Sequence, residues 1–253
     1  MAEPPVPTDL TGRLRSLTQA RIALARTGQS LTTGALLDFE LAHARARDAV
    51  HARLDVDALR AAIPGRALVV VRSRADDRTT YLQRPDLGRL LDRGDAARLA
   101  PAGAALAIVI GDGLSAIAVQ RHAAPLVEAL VARLADWSIA PIVVAHHARV
   151  ALGDEIGAAL GVDLVVMLIG ERPGLSAPDS LGAYLTWAPR RGRRDSERNC
   201  VSNIRPPHGL GYRAAADRIG WLAERARAIR LTGVDLKDES PPAADLPRLP
   251  GDR

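Results

Sequence analysis

Asp163-Leu-Val-Val-Met-Leu-Ile-Gly-Glu-Arg-Pro-Gly174 is the stretch whose reading decides the fold. Its apolar run is continuous rather than alternating, which marks a strand covered on both faces, as in a parallel sheet. The run stops abruptly at Glu171 and Arg172, and the Pro173-Gly174 pair then turns the chain. In open α/β sheets ligands bind outside the carboxyl ends of the strands, so a charged strand end of this kind is a candidate ligand contact. A surface loop with Glu171 and Arg172 in water accounts for the same residues, and a single strand end is read that way first.

Working outward, the same punctuation recurs. Apolar strand candidates fall at 67–72, 104–110 and 141–146, separated by helical stretches at 86–99, 115–136 and 153–160. Alternation of this kind predicts parallel βαβ units, and hence an α/β fold with a Rossmann-like, doubly wound, mostly parallel sheet. Residues 184–188 offer a further strand, and 212–231 a closing helix with Ile219, Leu222, Ala226 and Ile229 on one side. Before the sheet, Leu10, Leu14, Leu17 and Leu24, then Leu36, Leu37, Leu41, Val50 and Leu54, recur at helical spacing with no strand signal between them. The boundary at Pro64-Gly65 therefore divides an N-terminal helical arm, 1–63, from the α/β domain, 64–231. The proline-rich remainder, 232–253, reads as a disordered tail.

Composition narrows the classes of function. Apolar residues make up 47% of the 253, but aromatics only 3%, so the core must be packed from Ala, Val, Leu and Ile. The net charge of +5 is carried almost wholly by arginine, with Lys237 the one lysine, and acids are interspersed throughout. Only Arg190-Arg191-Gly192-Arg193-Arg194 is a dense cluster, and it lacks the interleaved aromatics of a nucleic-acid site. Cys200 stands alone, which excludes an internal disulfide and a cysteine-type metal cluster. The N-terminus lacks a basic start followed by an apolar run, and no segment reaches membrane-spanning length. A cytoplasmic protein is expected.

Two further strand ends and one loop carry candidate chemistry. In Gly111-Asp112-Gly113-Leu-Ser115 the glycines allow a tight turn and Ser115 is placed to cap the next helix. The G-x-G-x-x-G fingerprint, the Walker lysine and the G-x-S-x-G elbow are all missing, so neither nucleotide binding nor a serine nucleophile is well supported. His146 and His147 follow one strand; adjacent residues there point to opposite faces, and the pair reads as structural. Asn199-Cys200-Val-Ser-Asn-Ile204 reads as a loop of small polar groups suited to close contact with a large polar ligand. A lone cysteine is by default an inert thiol, and no base can be paired with this one.

Read together, Leu82-Gln-Arg-Pro-Asp-Leu-Gly-Arg89, Asp112-Gly-Leu-Ser115, Arg149-Val150 with Gly153-Asp-Glu-Ile-Gly157, and Ile169-Gly-Glu-Arg-Pro-Gly-Leu175 with Asn199–Ile204 resemble the small (light) subunit of ethanolamine ammonia-lyase. The resemblance runs from about Leu17 to about Ile229. It implies a hetero-oligomeric lyase that converts ethanolamine to acetaldehyde and ammonia, with adenosylcobalamin held between this subunit and a large barrel subunit carrying the catalytic groups. By motif, the cofactor contacts map onto Val150, Glu171 and Cys200, with Asp112, Ser115 and Asn203 on the same rim. No catalytic residue and no metal ligand is implied for this chain, and the D-x-H-x-x-G signature of domains that offer a histidine to cobalt is missing. The Arg190–Arg194 cluster departs from the family pattern. Enclosure in a bacterial microcompartment is left open. Two other readings compete: a free-standing nucleotide-binding or hydrolytic α/β protein using Gly111-Asp112-Gly113, and an arginine-rich interaction protein without a cofactor.

Overall fold

The computed structural model describes residues 26–241, together with residues 12, 14, 22 and 24. Leu10, Leu17 and the end of the proline-rich tail lie outside the described residues. Strands β1 (Arg26–Thr27) and β2 (Ser30–Leu31) form a small antiparallel hairpin, and helices α1 (Thr33–His51) and α2 (Val56–Ala62) follow. The arm is thus not helical throughout. Gly28, at φ +63°, takes a left-handed turn that a helix cannot accommodate, and Thr32 then restarts the chain as an N-cap by accepting the Ala35 N–H.

From there the chain runs β3 (Leu68–Arg72), α3 (Arg78–Gln83), α4 (Arg93–Ala96), β4 (Leu106–Gly111), α5 (Ala116–Arg133), β5 (Ile142–His146), α6 (Leu152–Leu160), β6 (Leu164–Gly170), β7 (Leu181–Trp187), β8 (Asn199–Ile204) and α7 (Tyr212–Ile229). The sheet order is β3-β5-β4-β6-β7-β8. The first four strands pair in parallel, while β7 and β8 are added antiparallel at one edge. The architecture is α/β, as the alternation predicts. β4 and β6 are buried at every residue, which is why their sequences are continuously apolar.

Period 2 sorts that apolar content into two layers. Leu106, Ile108 and Ile110 face α5, α7 and α2, whereas Ala107 and Val109 join Leu152, Ile156 and Leu160 of α6 on the opposite face. Helices therefore cover both faces of the sheet. Gly113 and Gly170 let the loops after β4 and β6 touch through their backbones: a Cβ on Gly170 would lie 2.1 Å from the Ser115 carbonyl oxygen. No described helix is long and apolar enough to cross a membrane.

Three elements differ from the sequence reading. The expected helix at 86–99 is a 3-10 turn at Leu87–Arg89 followed by the short helix α4, because Asp86 begins the one and Asp92 caps the other, and a further short helix, α3, precedes Pro85. The expected strand at 184–188 starts earlier, since Leu181 onward pairs with β6 residue by residue. The expected loop at Asn199–Ile204 is the edge strand β8. Its pairing slips between Leu181 and Ala183, and Asn203 adopts φ +59°, so the buried residues Val201 and Ile204 are three apart instead of two. A bulge of this kind erases the alternation by which a strand is recognised.

The chain also stays folded past Thr232. Thr232 donates its hydroxyl hydrogen to the Glu197 carbonyl (2.7 Å) and accepts the Trp187 N–H (2.9 Å). The Asn199 side chain accepts the Gly233 N–H (2.8 Å) and donates to the Leu236 carbonyl (2.8 Å), and Thr232 and Leu236 are buried.

Candidate functional site

The helix after β4 covers one face of the sheet and the helix after β5 the other, so the loops leaving these neighbouring strands diverge and open a crevice. Asp112 braces it from below: its carboxylate accepts the backbone N–H groups of His147 (2.9 Å) and Ala148 (3.0 Å) and lies 3.9 Å from the Arg78 guanidinium. Ser115 is fully buried, capping α5 at the Ala118 N–H (3.2 Å) and donating to the Pro178 carbonyl (2.8 Å). Both join loops, and Asp112 also lines the hollow beside His147. His146 and His147 do not point to opposite sides. His147 leaves the strand with φ +53°, and both rings border one hollow of about 520 Å³ with His51 and Arg78. Among the described residues no group of three or more His, Cys, Asp or Glu is arranged to hold a metal ion.

The concavity that matters lies beside this brace, at the ends of β5 and β6 and over Tyr184 of β7 and Cys200 of β8. It consists of two adjoining hollows, about 410 and about 400 Å³, which share Arg149, Val150 and Tyr184. One extends to Arg89, Arg198 and Cys200, the other to Tyr81, Gly113 and Glu171. Val150, Glu171 and Cys200, which are far apart in sequence, therefore border one continuous surface. Asn203 approaches only through its backbone N–H, 3.4 Å from Glu171.

Glu171 closes β6. Its Oε1 accepts the Ser202 hydroxyl and its Oε2 the Ser180 hydroxyl, each at 2.5 Å. The carboxylate lies over Gly182, where a Cβ would approach Oε1 to 2.8 Å. It is thus aimed by groups from β8 and the segment before β7, with lone pairs left for donors from outside. Across the concavity, Cys200 is exposed yet sits against Tyr184, and desolvation, with a smaller contribution from the Glu171 charge, holds its thiol above the usual range. The Tyr184 phenol is also raised, by burial first and by the neighbouring Cys200 second. A neutral thiol and a neutral phenol side by side offer contact surface and hydrogen bonds, not a nucleophile.

Beneath the surface, α6 is tied to the antiparallel edge by an ion pair. Arg198 Nη1 lies 2.9 Å from Asp154 Oδ1, with side-chain exposures of 2% and 3%, and also donates to Thr186. Burial pushes the Asp154 carboxyl up to about 6 against the opposing pull of Arg198. Reading the sequence misses Arg149, Tyr184 and Tyr81 as lining residues. Arg149 stands within a quoted motif, but Tyr184 lies inside a strand whose buried alternates mask it, and Tyr81 belongs to a helix too short to show a period.

A family model described as ethanolamine ammonia-lyase light chain (EutC) matches residues 8–237, which includes every residue of the concavity. The chain belongs to the ethanolamine ammonia-lyase light-chain family. Proteins named ethanolamine ammonia-lyase small subunit match this light chain along nearly all of their length. That of Bradyrhizobium diazoefficiens is 59% identical over 248 residues, covering 95% of both chains. That of Rhodopseudomonas palustris is 57% identical over 244 residues, 93% of both. That of Azotobacter vinelandii is 53% identical over 249 residues, 94% of this chain and 90% of the relative. The light-chain match runs without a break from the arm into the sheet, across the boundary read at Pro64-Gly65.

Proposed function

We propose that this chain is the small subunit of an adenosylcobalamin-dependent ethanolamine ammonia-lyase in the bacterial cytoplasm, and that it holds the cobalamin against a large barrel subunit. The single observation that carries the reading is that Val150, Glu171 and Cys200 border one concavity at the sheet's ligand edge. The concavity suits a bulky amphipathic cofactor. Apolar surface comes from Val150 and Tyr184, and hydrogen-bonding groups come from Glu171, Cys200 and Arg149. When bound, the cofactor supplies homolysis of its cobalt–carbon bond.

The residues of this chain have narrower tasks. Val150 packs against the macrocycle or its side arms. Glu171, aimed by Ser180 and Ser202, accepts hydrogen bonds from the corrin's carboxamides. Cys200 provides contact where a larger side chain would collide. No residue here transfers a proton or forms a bond with substrate, and the ethanolamine site belongs to the partner. The competing nucleotide-binding reading rested on Gly111-Asp112-Gly113, where Asp112 is already engaged by two backbone N–H groups and lies beside Arg78.

The test is to express the chain alone and together with its large partner, add adenosylcobalamin, and record cofactor spectra and ammonia release from ethanolamine. Binding and activity are expected only for the pair. Activity of the isolated chain, or a pair that neither binds cofactor nor releases ammonia, overturns the proposal. In the pair, Glu171→Ala is expected to weaken cobalamin binding by about tenfold, the worth of a charge-assisted hydrogen bond, and unchanged affinity removes Glu171 from the contact set.

A further inference from the structure

Arg149 lines both hollows of the concavity, beside Val150, and its surroundings fix it in place. The guanidinium carbon stands 4.4 Å from the centroid of the Tyr81 ring, and Nη2 donates to the Tyr81 carbonyl at 3.3 Å. Its stem lies against Gly88, where a Cβ would come within 2.9 Å of the arginine Cγ. Tyr81 is itself anchored by its hydroxyl, which donates to the Ala148 carbonyl at 3.0 Å. Packing, stacking and one backbone bond thus aim the side chain, but none of them neutralises it.

The charge is unanswered from within. Arg89 and Arg198, which line the same concavity, have Asp195 at 3.6 Å and Asp154 at 2.9 Å. Arg149 forms no ion pair among the described residues, its Nε is buried without a hydrogen-bond partner, and its Nη1 bonds to no described residue. Arg149 is half-buried, and leaving its enclosed Nε–H unused is costly unless a ligand completes the site. A rigid, stacked guanidinium matches a tetrahedral oxyanion better than a carboxamide, because its fork presents two parallel donors to two oxygens that share a negative charge.

A cobalamin offers one such group. Its side arms are neutral amides, whereas the phosphodiester of its nucleotide loop carries a full negative charge. We infer that Arg149 receives this phosphodiester, and so sets which way the corrin lies across the concavity, with the nucleotide loop toward Arg149 and carboxamides toward Glu171. The inference rests on the proposed function and adds an orientation to it.

The experiment compares ligands that differ at that group, using the assembled complex of this chain with its large partner. Affinities for adenosylcobalamin, adenosylcobinamide phosphate and adenosylcobinamide, which lacks the phosphate, are measured by absorption titration for wild type and Arg149→Gln. The substitution is expected to weaken the two phosphate-bearing ligands by about tenfold or more and cobinamide by less than about twofold. Equal weakening of all three, or of none, overturns the inference while leaving the cofactor-holding function intact. A wild-type complex that binds none of the three overturns both. Co-elution with the partner and an unchanged melting temperature check that the variant is folded. If Arg149→Gln does not assemble, Arg149→Lys, which keeps the charge without the fork, is put through the same comparison. A phosphate-selective loss then supports the inference, and an even loss overturns it.

Discussion

A thiol reacts as its thiolate, and at Cys200 desolvation and the nearby Glu171 carboxylate both disfavour that form. Exposure alone would make this cysteine an easy target for alkylation. The expected outcome is the reverse: iodoacetamide at pH 8 modifies Cys200 more slowly than a free cysteine, and the gap narrows as pH rises. Mass spectrometry of quenched samples reads this directly, and a rate above that of free cysteine refutes it. A second prediction concerns space: Cys200→Ser leaves cobalamin affinity of the complex within about twofold, whereas Cys200→Trp fills the hollow and lowers it by about tenfold or more. Val150, Glu171 and Cys200, the proposed contacts, stand in the motifs that carry the family resemblance, and the fold brings them to one surface. Asp112 was not legible as a brace. A carboxylate after a strand looks the same in sequence whether it faces a ligand or two backbone N–H groups of the next loop.

At the scale of elements, what sequence reveals depends on whether a strand is covered on both faces. β4 and β6 are, and their apolar runs announce them. β8 is an edge strand with a bulge, and only the tertiary pairing with β7 makes it a strand. The β1–β2 hairpin was hidden similarly, its turn marked by one glycine in an otherwise helical-looking arm. The loops after β4 and β6 depend on backbone contact at Gly170, where a Cβ would lie 2.1 Å from one carbonyl oxygen and 2.7 Å from another. Gly170→Ala is therefore expected to destabilise the chain by about 3 kcal/mol or more, read by urea denaturation, since rigid backbone rather than a flexible side chain must give way. A loss under about 1 kcal/mol would mean that the loops separate freely.

For the whole molecule, the Arg198–Asp154 pair joins α6 to the antiparallel edge, so its integrity enters the global stability. Asp154→Leu strands a guanidinium whose side chain is 2% exposed, and is expected to cost about 3–5 kcal/mol at pH 7. The pair also sets a pH dependence. The folded-state pKa of Asp154 is raised from 3.8 to about 6, so the folded protein binds this proton more tightly than the unfolded chain does. The stabilisation from the bound proton is complete below about pH 4 and is lost as pH rises through about 6. Denaturation at a series of pH values should show wild type losing stability relative to Asp154→Asn across that window. A flat difference, or one of opposite sign, contradicts the raised pKa.

The seam that binds Thr232–Leu236 to β7 and β8 ends one residue before Lys237, the only lysine in the chain. Lys237 is exposed, so a lysine-specific endoprotease has a single cleavage point, between the seam and Asp238, whose carboxylate lies 3.3 Å from Arg218. Cleavage there shortens the chain by 16 residues, Asp238 to Arg253, and leaves every hydrogen bond of the seam in place. The same position provides one amine on a side chain for attaching a probe outside the concavity.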